Sequence, residues 1–290
     1  MNPLILVDIS HLVFRHHYTK RNFSYEGRAT GGLFGAIQTL IKLKRDNPEA
    51  HIIAAFDSRS KHRHEVVRVA REHGVLPEAH EYKGGRDKGE EYQKIVDQID
   101  RLLEFLQKTV VQAVKMPGNE ADDIIGTYST RGQSLIVSGD KDFYQLISPT
   151  CQVFNPGKDL MITEDHIRHE YNLEPVQMID VGAFAGDKSD NIPGVPGIGE
   201  KTALKLIQTH GDVRGVIEAA AKAVISGTLR NKILDNKNLI LLSRELKEIN
   251  TQLDVPEIAS PQPQPEAIQE FIIEGCGFRS LVNQIEIIGG

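Results

Sequence analysis

Three short apolar runs in this chain each lead into an aspartate: Leu4-Ile-Leu-Val7 into Asp8, Ile52-Ile-Ala-Ala-Phe56 into Asp57, and Leu135-Ile-Val-Ser-Gly139 into Asp140. Runs this short and this uniformly apolar suit strands buried on both faces, as in a parallel sheet. The residues between them carry a helical period. Gly32 to Leu43 has apolar residues at 33, 34, 37, 40 and 41 and a Lys-rich end, which the negative end of a helix dipole favours. Ile95 to Leu106 repeats the period. Strands alternating with helical crossovers predict an α/β fold with a mostly parallel central sheet flanked by helices. Ligands of such sheets sit beyond the carboxyl ends of the strands. The topology would therefore bring Asp8, Asp57 and Asp140 to one edge.

Other acids join them. Glu120, Asp122 and Asp123 follow Pro117-Gly-Asn119, with Asn119 expected as a helix N-cap. Asp140 and Asp142 flank Lys141, and Asp187 and Asp190 sit in Gly-Asp-Lys-Ser-Asp-Asn191. Read alone, any one cluster is a cap, a turn or a solvated helix start. Four separate regions supplying acids at element ends make a more specific pattern. Oxygen donors without His or Cys select Mg²⁺ or Mn²⁺ over zinc. The number of carboxylates suffices for two or more ions, the usual clamp for phosphodiester hydrolysis. The two cysteines, Cys151 and Cys276, form no CxxC pair, which argues against structural zinc and for a reducing cytoplasm.

The formal net charge of -6 weighs against a nucleic-acid partner only when averaged over the chain. Residues 9–45 hold seven Lys/Arg against the single acid Glu26. Residues 58–90 hold eight Lys/Arg, six acids and four His, and long polar insertions at a functional edge are often lids or binding loops. On composition alone this one is equally a solvated loop. Within it, Val67 and Ala70 beside Arg68 and Arg71 predict a surface helix. Beyond Glu174 the texture turns to short helices with Gly-Pro punctuation. Residues 254–266 are a Pro-rich connector, after which Ala267 to Ile273 is apolar enough to pack back on the core. No apolar run reaches 18 residues and the N-terminus has no basic segment, so neither a membrane span nor a signal peptide is expected. A monomer is expected.

Pro193-Gly-Val-Pro-Gly-Ile-Gly-Glu-Lys-Thr-Ala203 has the glycine spacing of a phosphate-binding P-loop at Gly194 and Gly199. Glu200 takes the place of the P-loop lysine, however, and no apolar strand precedes, so an NTPase is excluded. A helix-hairpin-helix turn fits better. Gly194, Gly197 and Gly199 would let a DNA backbone approach, and the next helix would aim its N–H groups at a phosphate. Lys201 and Lys205 add charge one turn apart. Such contacts are independent of base sequence and sensitive to salt.

Taken together, the chain resembles the bacterial and bacteriophage 5′→3′ exonuclease/flap endonuclease family, which has a PIN-like core. The motifs that carry the resemblance occur in family order: Leu6-Val-Asp8, Ala55-Phe-Asp57, Glu81-Tyr-Lys-Gly-Gly-Arg86, Asn119-Glu-Ala-Asp-Asp123, Ser138-Gly-Asp-Lys-Asp142, Gly186-Asp-Lys-Ser-Asp-Asn191, Gly194 to Ala203, and Gly277-Phe-Arg-Ser-Leu281. The resemblance implies that Asp8, Asp57, Glu120, Asp122, Asp123 and Asp140 hold a first metal ion. It implies that Asp142, Asp187 and Asp190 hold or position a second, and it admits K⁺ at the hairpin turn. It further implies a helical arch over about 58–92. Lys83 and Arg86 would meet the scissile phosphate there, Tyr82 would stack on a base, and Arg15 would face the phosphate path. The stretch from Asp57 to Lys83 is longer than the family pattern, which bears on the shape of that arch.

The implied organisation is a PIN-like nuclease domain over 1–175, an α-helical helix-hairpin-helix subdomain over 176–253, and a connector and C-terminal segment over 254–290. The implied activity is Mg²⁺- or Mn²⁺-dependent cutting of 5′ flaps, and of duplex DNA or RNA–DNA hybrid from the 5′ end, in a bacterial or phage-infected cytoplasm. Two alternatives stand beside it, a PIN-type ribonuclease on single-stranded RNA and a catalytically silent DNA-binding paralogue. The hairpin speaks against the first and the full set of acids against the second.

Overall fold

The computed structural model describes residues 3–85 and 89–289, so Arg86 lies outside the described residues. The first half of the chain builds β1 (Leu4–Asp8), α1 (Ile9–Thr19), a small hairpin of β2 (Ser24–Tyr25) and β3 (Arg28–Ala29), α2 (Gly31–Asp46), β4 (His51–Phe56), α3 (Lys61–Glu72), α4 (Glu90–Leu106), β5 (Gln112–Lys115) and α5 (Ala121–Ser129). Next come β6 (Ser134–Val137), β7 (Cys151–Asn155) and β8 (Leu160–Ile162). The six-stranded sheet runs β5-β4-β1-β6-β7-β8. Every neighbouring pair is parallel except β7 with β8.

Sheet order fixes where the site must be. From β1 the chain builds outward through β4 to β5, then returns to place β6 on the other side of β1. That reversal opens a crevice at the carboxyl edge. Asp8 is in register with Ala55, and Val7 with Val137, so Asp57 and Asp140 leave their strands just beside it.

Both faces of the sheet are covered, as the uniform apolar runs require. Ile5 and Val7 pack with α1, α2 and α4, whereas Leu4 and Leu6 pack with Ile124, Ile125 and Tyr128 of α5. The second half of the chain supplies α6 (Glu164–Tyr171), α7 (Met178–Ala185), α8 (Glu200–His210), α9 (Val213–Ala221), α10 (Gly227–Asp235) and α11 (Lys237–Lys247). Ile167 of α6 packs with the second face of the sheet, whereas α7 to α11 share a separate core that includes Phe184, Val195, Ile198, Ile207 and Ile240. After the connector, Ile268, Ile272, Phe278, Leu281 and Ile288 return to the first face of the sheet.

Two details position the acids of the second half. Gly194 has φ +58, and a Cβ there would lie 2.4 Å from the Gly186 nitrogen, so only glycine lets these two backbones cross. Between them the Asp187 and Ile192 backbones exchange hydrogen bonds of 2.8 and 2.7 Å, which closes the turn that carries Asp187 and Asp190. The basic insertion is also fastened down. Val67 and Ala70 of α3 pack with Leu76 and Tyr82 against Ile192 and against Leu242 and Leu246 of α11. The helix expected in this stretch is present, but it lies on the helical unit and does not stand free over the sheet. No helix among the described residues is long and apolar enough to cross a membrane.

Candidate active site

A cleft of about 520 Å³ opens at the carboxyl edge and is lined by Asp8, Asp57, Asp122, Asp140, Asp190 and Lys83, with Phe14, Tyr18 and Tyr92 as its aromatic wall. Asp8 ends β1 and caps α1. Its Oδ1 accepts the His11 N–H at 3.0 Å and its Oδ2 accepts the Ser138 hydroxyl at 3.0 Å. The same Ser138 oxygen accepts the Asp140 N–H at 3.1 Å, so one hydroxyl ties the ends of two strands together. Burial, reinforced by Asp57 and Asp140, pushes the Asp8 carboxyl up to about 7.

Asp57 Oδ1 accepts the Ala121 N–H at 3.0 Å. The start of α5 is therefore capped from a different strand. The expected cap, Asn119, does not fill that role, because the N-cap position is Glu120, whose own side chain makes no capping bond. Asp122, in the first turn of α5, is held well above the usual carboxylate range by burial and then by Asp8, Asp140 and Asp57, with Lys83 opposing.

Among the described residues no three acids close into a finished ligand cage. Even so, Asp8, Asp57, Asp122 and Asp140 repel one another across one cleft, and all their donor atoms are oxygen. That donor set fits a hard divalent cation, whose charge would relieve the repulsion.

The structure does not bring all nine expected acids to this cleft. Asp123 turns away from it. Its oxygens take the Arg63 guanidinium at 2.7 and 3.0 Å and the Asn250 N–H at 2.9 Å. Successive helix residues point about 100° apart, so with Asp122 facing the cleft Asp123 faces Arg63, and the structure does not place Asp123 in the ligand role expected of it. Glu120 is buried behind the cleft. It accepts Arg63 and the Tyr82 hydroxyl, each at 3.0 Å, and the Lys83 ammonium at 2.5 Å.

Tyr82 is only 4% exposed, so the base-stacking expected of it is also corrected: its ring lies in the apolar cluster under α3. Its hydroxyl braces Glu120 and, at 3.4 Å, Asp190. Lys83 has φ 55, a left-handed backbone that side chains rarely adopt, and its N–H donates to the Asp190 carbonyl at 2.9 Å. That turn delivers the lysine to the cleft.

Asp142 and Asp187 are joined by Lys247 at the end of α11, a residue the sequence did not single out. Its ammonium sits 2.6 Å from Asp142 Oδ2 and 2.9 Å from Asp187 Oδ2. Burial works against ionised Asp187, but Lys247 and Ser189 outweigh it and hold the carboxyl down at about 2. Arg63 was equally invisible, being one arginine in a basic stretch.

The expected nucleic-acid contacts divide by exposure. Gly197, Gly199, Lys201 and Lys205 are exposed around the start of α8. Gly194 is buried in its crossing with Gly186, so it shapes the turn and cannot touch a partner. A Cβ on Gly199 would meet nothing within 4 Å. The fold itself does not demand glycine there. Arg15 is half-buried on α1, beside Gly157 and away from the lining of the cleft.

Comparisons with known proteins agree with this architecture. A family model described as 5'-3' exonuclease, N-terminal resolvase-like domain, matches residues 3–172, and one described as 5'-3' exonuclease, C-terminal SAM fold, matches residues 173–266. The chain is 31% identical over 298 residues to DNA polymerase I of Bacillus caldotenax, covering 98% of this chain and 32% of that protein. It thus spans about a third of the length of such polymerase relatives. It is 32% identical over 268 residues to a 5'-3' exonuclease of Halalkalibacterium halodurans, covering 87% of this chain and 84% of that one. In fold it is similar to the T5 5'-exonuclease with bound zinc ions, with a TM-score of 0.66 and 18% identity over 99% of each chain. The catalytic core of Rad2 in complex with DNA substrate gives 0.58 and 15%, over 99% of this chain and 90% of that one. With both domain models matched in order and a free-standing relative aligned over most of its length, the chain belongs to the 5'-3' exonuclease family.

Proposed function

We propose that the chain is a structure-specific, divalent-metal-dependent nuclease that hydrolyses phosphodiester bonds at 5′ flaps and from the 5′ ends of duplex DNA. One observation carries the reading: Asp8, Asp57, Asp122 and Asp140 line one cleft at the carboxyl edge of the sheet, with Lys83 in the same cleft. Those four carboxylates would hold Mg²⁺ or Mn²⁺, and the ion when bound supplies Lewis-acid stabilisation of negative charge on the phosphate. The chain's own residues do the rest. Ser138 holds Asp8 and the Asp140 backbone in place. Glu120 and the Tyr82 hydroxyl set the height of Lys83, whose ammonium offsets charge developing on the scissile phosphate. The exposed turn before α8, with Lys201 and Lys205, grips the backbone of the duplex. Relatives named 5'-3' exonuclease and DNA polymerase I support a task in bacterial DNA replication or repair.

The test is cleavage of a 5′-labelled flap DNA with Mg²⁺ and with EDTA, beside the matching single strand, an RNA–DNA hybrid and single-stranded RNA. Mg²⁺-dependent cutting near the flap junction is the expected result. Cutting of the RNA strand alone would overturn the reading in favour of a ribonuclease, and binding without any cutting would favour a silent paralogue. A second expectation concerns the hairpin. Lys201→Ala should weaken duplex binding evenly across sequences and flatten the plot of log affinity against log salt by about one unit of slope. Fluorescence anisotropy at several salt concentrations reads this directly, and an unchanged slope removes Lys201 from the interface.

A further inference from the structure

Asp142 and Asp187 already hold a cation, and it is part of the chain. Lys247 is 7% exposed, with its ammonium between Asp142 and Asp187. Three features make this a built arrangement. The Lys247 carbonyl accepts the Gln145 amide at 3.0 Å, and Gln145 Oε1 takes the Ile249 N–H at 3.1 Å, so the backbone on either side is clamped. The methylene stem runs over Gly182 of α7, where a Cβ would come within 3.2 Å of the lysine Cε. A glycine at 182 therefore leaves the channel the stem occupies. The ammonium then meets one carboxylate on each side, and each of those is fixed by its own loop.

We propose that Lys247 serves as the resident cation of the Asp142–Asp187 pair, so that the protein takes a divalent ion at the Asp8 cluster alone. A second ion can bind only where the ammonium has been displaced. The carboxylates that the family pattern assigns to a second ion do not fit one as they stand. Their shared space and both inward-facing charges are already used by an amine. An ammonium is also the weaker partner for a polarised phosphate than a doubly charged ion, so the lysine keeps the pair ordered and offsets one of its two negative charges without reproducing a second metal. The inference rests on the metal reading given above only for the Asp8 cluster.

The test counts ions and does not depend on turnover. Mn²⁺ bound per DNA-free protein is measured by the loss of the free-ion EPR signal for the wild type, Lys247→Ala and Lys247→Ala/Asp142→Asn/Asp187→Asn. The variant is expected to bind one more Mn²⁺ than the wild type, and the triple variant to lose that extra ion. Equal counts in wild type and Lys247→Ala overturn the proposal, as does an extra ion that survives in the triple variant. The wild-type count answers a different question. A count of zero would sink the metal reading of the Asp8 cluster while leaving the difference between the proteins as the test of Lys247.

Removing the lysine leaves two facing carboxylates, so the melting temperature supplies a second readout. Lys247→Ala should melt lower than wild type in EDTA and recover most of the loss in Mn²⁺. Lys247→Met keeps the stem over Gly182 and should show the same EDTA loss with less recovery. Melting of Lys247→Ala that does not respond to Mn²⁺ would also overturn the proposal.

Discussion

Asp8→Asn is expected to abolish cleavage, by about a thousandfold or more in kcat, because several kcal/mol of charge stabilisation depends on the ion it would hold. DNA affinity should be largely retained, since Asp8 lies in the cleft whereas Lys201 and Lys205, the proposed grip on the duplex, are exposed on α8. The substitution should also make the metal-free protein more stable above neutral pH. Asp8 titrates at about 7 when folded, against 3.8 for an ordinary aspartate, so its folded pKa is raised. Between those values the native state holds a proton that the unfolded chain has released. Stability therefore falls by about 1.4 kcal/mol per pH unit across that window, is highest below it and is level above it.

Asparagine removes that penalty and can still cap α1. In EDTA at pH 8 the variant should melt higher than wild type, by about 2–4 °C for each kcal/mol recovered. At pH 4 the two should melt together. Flap cleavage and thermal scans at both pH values check this. Wild-type turnover in saturating Mg²⁺ would sink the assignment of Asp8, and a lower melting point at pH 8 would sink the electrostatic account.

The same acids show what could be read from the chain and what could not. Buried parallel strands have a signature that survives without tertiary information, because both faces must be apolar over a short run. The ends of β1, β4 and β6 follow from that, and the carboxyl-edge rule then places Asp8, Asp57 and Asp140 together. β5 and β8 lack the signature. Both are edge strands: Gln112–Lys115 begins and ends on a polar residue, and Leu160–Ile162, though apolar, is only three residues long, too short a run to stand out from its surroundings.

Helix phase is the next level down. The Glu120-Ala-Asp-Asp123 run was legible as a metal-binding cluster, but only Asp122 points into the cleft. The 100° between neighbours was available as an argument, whereas the partner that claims Asp123 was not. Arg63 is distant in sequence and lies among seven other basic residues of the insertion. Lys247 ends an ordinary amphipathic helix, and its role appears only once Asp142, Asp187 and Gly182 surround it. Tyr82 failed for a related reason. A tyrosine beside a lysine reads as a stacking residue until Val67, Leu76 and Leu246 are seen to cover it.

Arg63→Ala is expected to cost more stability than any other single change to the described charged residues, about 3–5 kcal/mol, because it strands two buried carboxylates. The guanidinium is 4% exposed. It spans three parts of the fold: Asp123 and Glu120 at the start of α5, its own helix α3, and the Leu246 and Glu248 carbonyls at the end of α11, each at 3.1 Å. Lysine cannot copy a planar fork that engages two carboxylates and two carbonyls, so Arg63→Lys should recover only a minor part of the loss.

Urea unfolding at pH 7 and pH 5 tests the cause as well as the size. A deficit that shrinks at the lower pH, where stranded carboxylates can take up protons, points to uncompensated charge. A deficit independent of pH points to lost packing and contradicts the account. Arg68, one turn along α3, is the control. It pairs with Glu65 and Glu72 on an exposed face, where water competes for every partner, and Arg68→Ala should leave stability unchanged. Glu120 holds Lys83, and Arg63 holds Glu120, so Arg63→Lys, where it folds, should lower kcat with little change in KM. A loss confined to KM would mean that the lysine is placed by something other than this buried chain of charges.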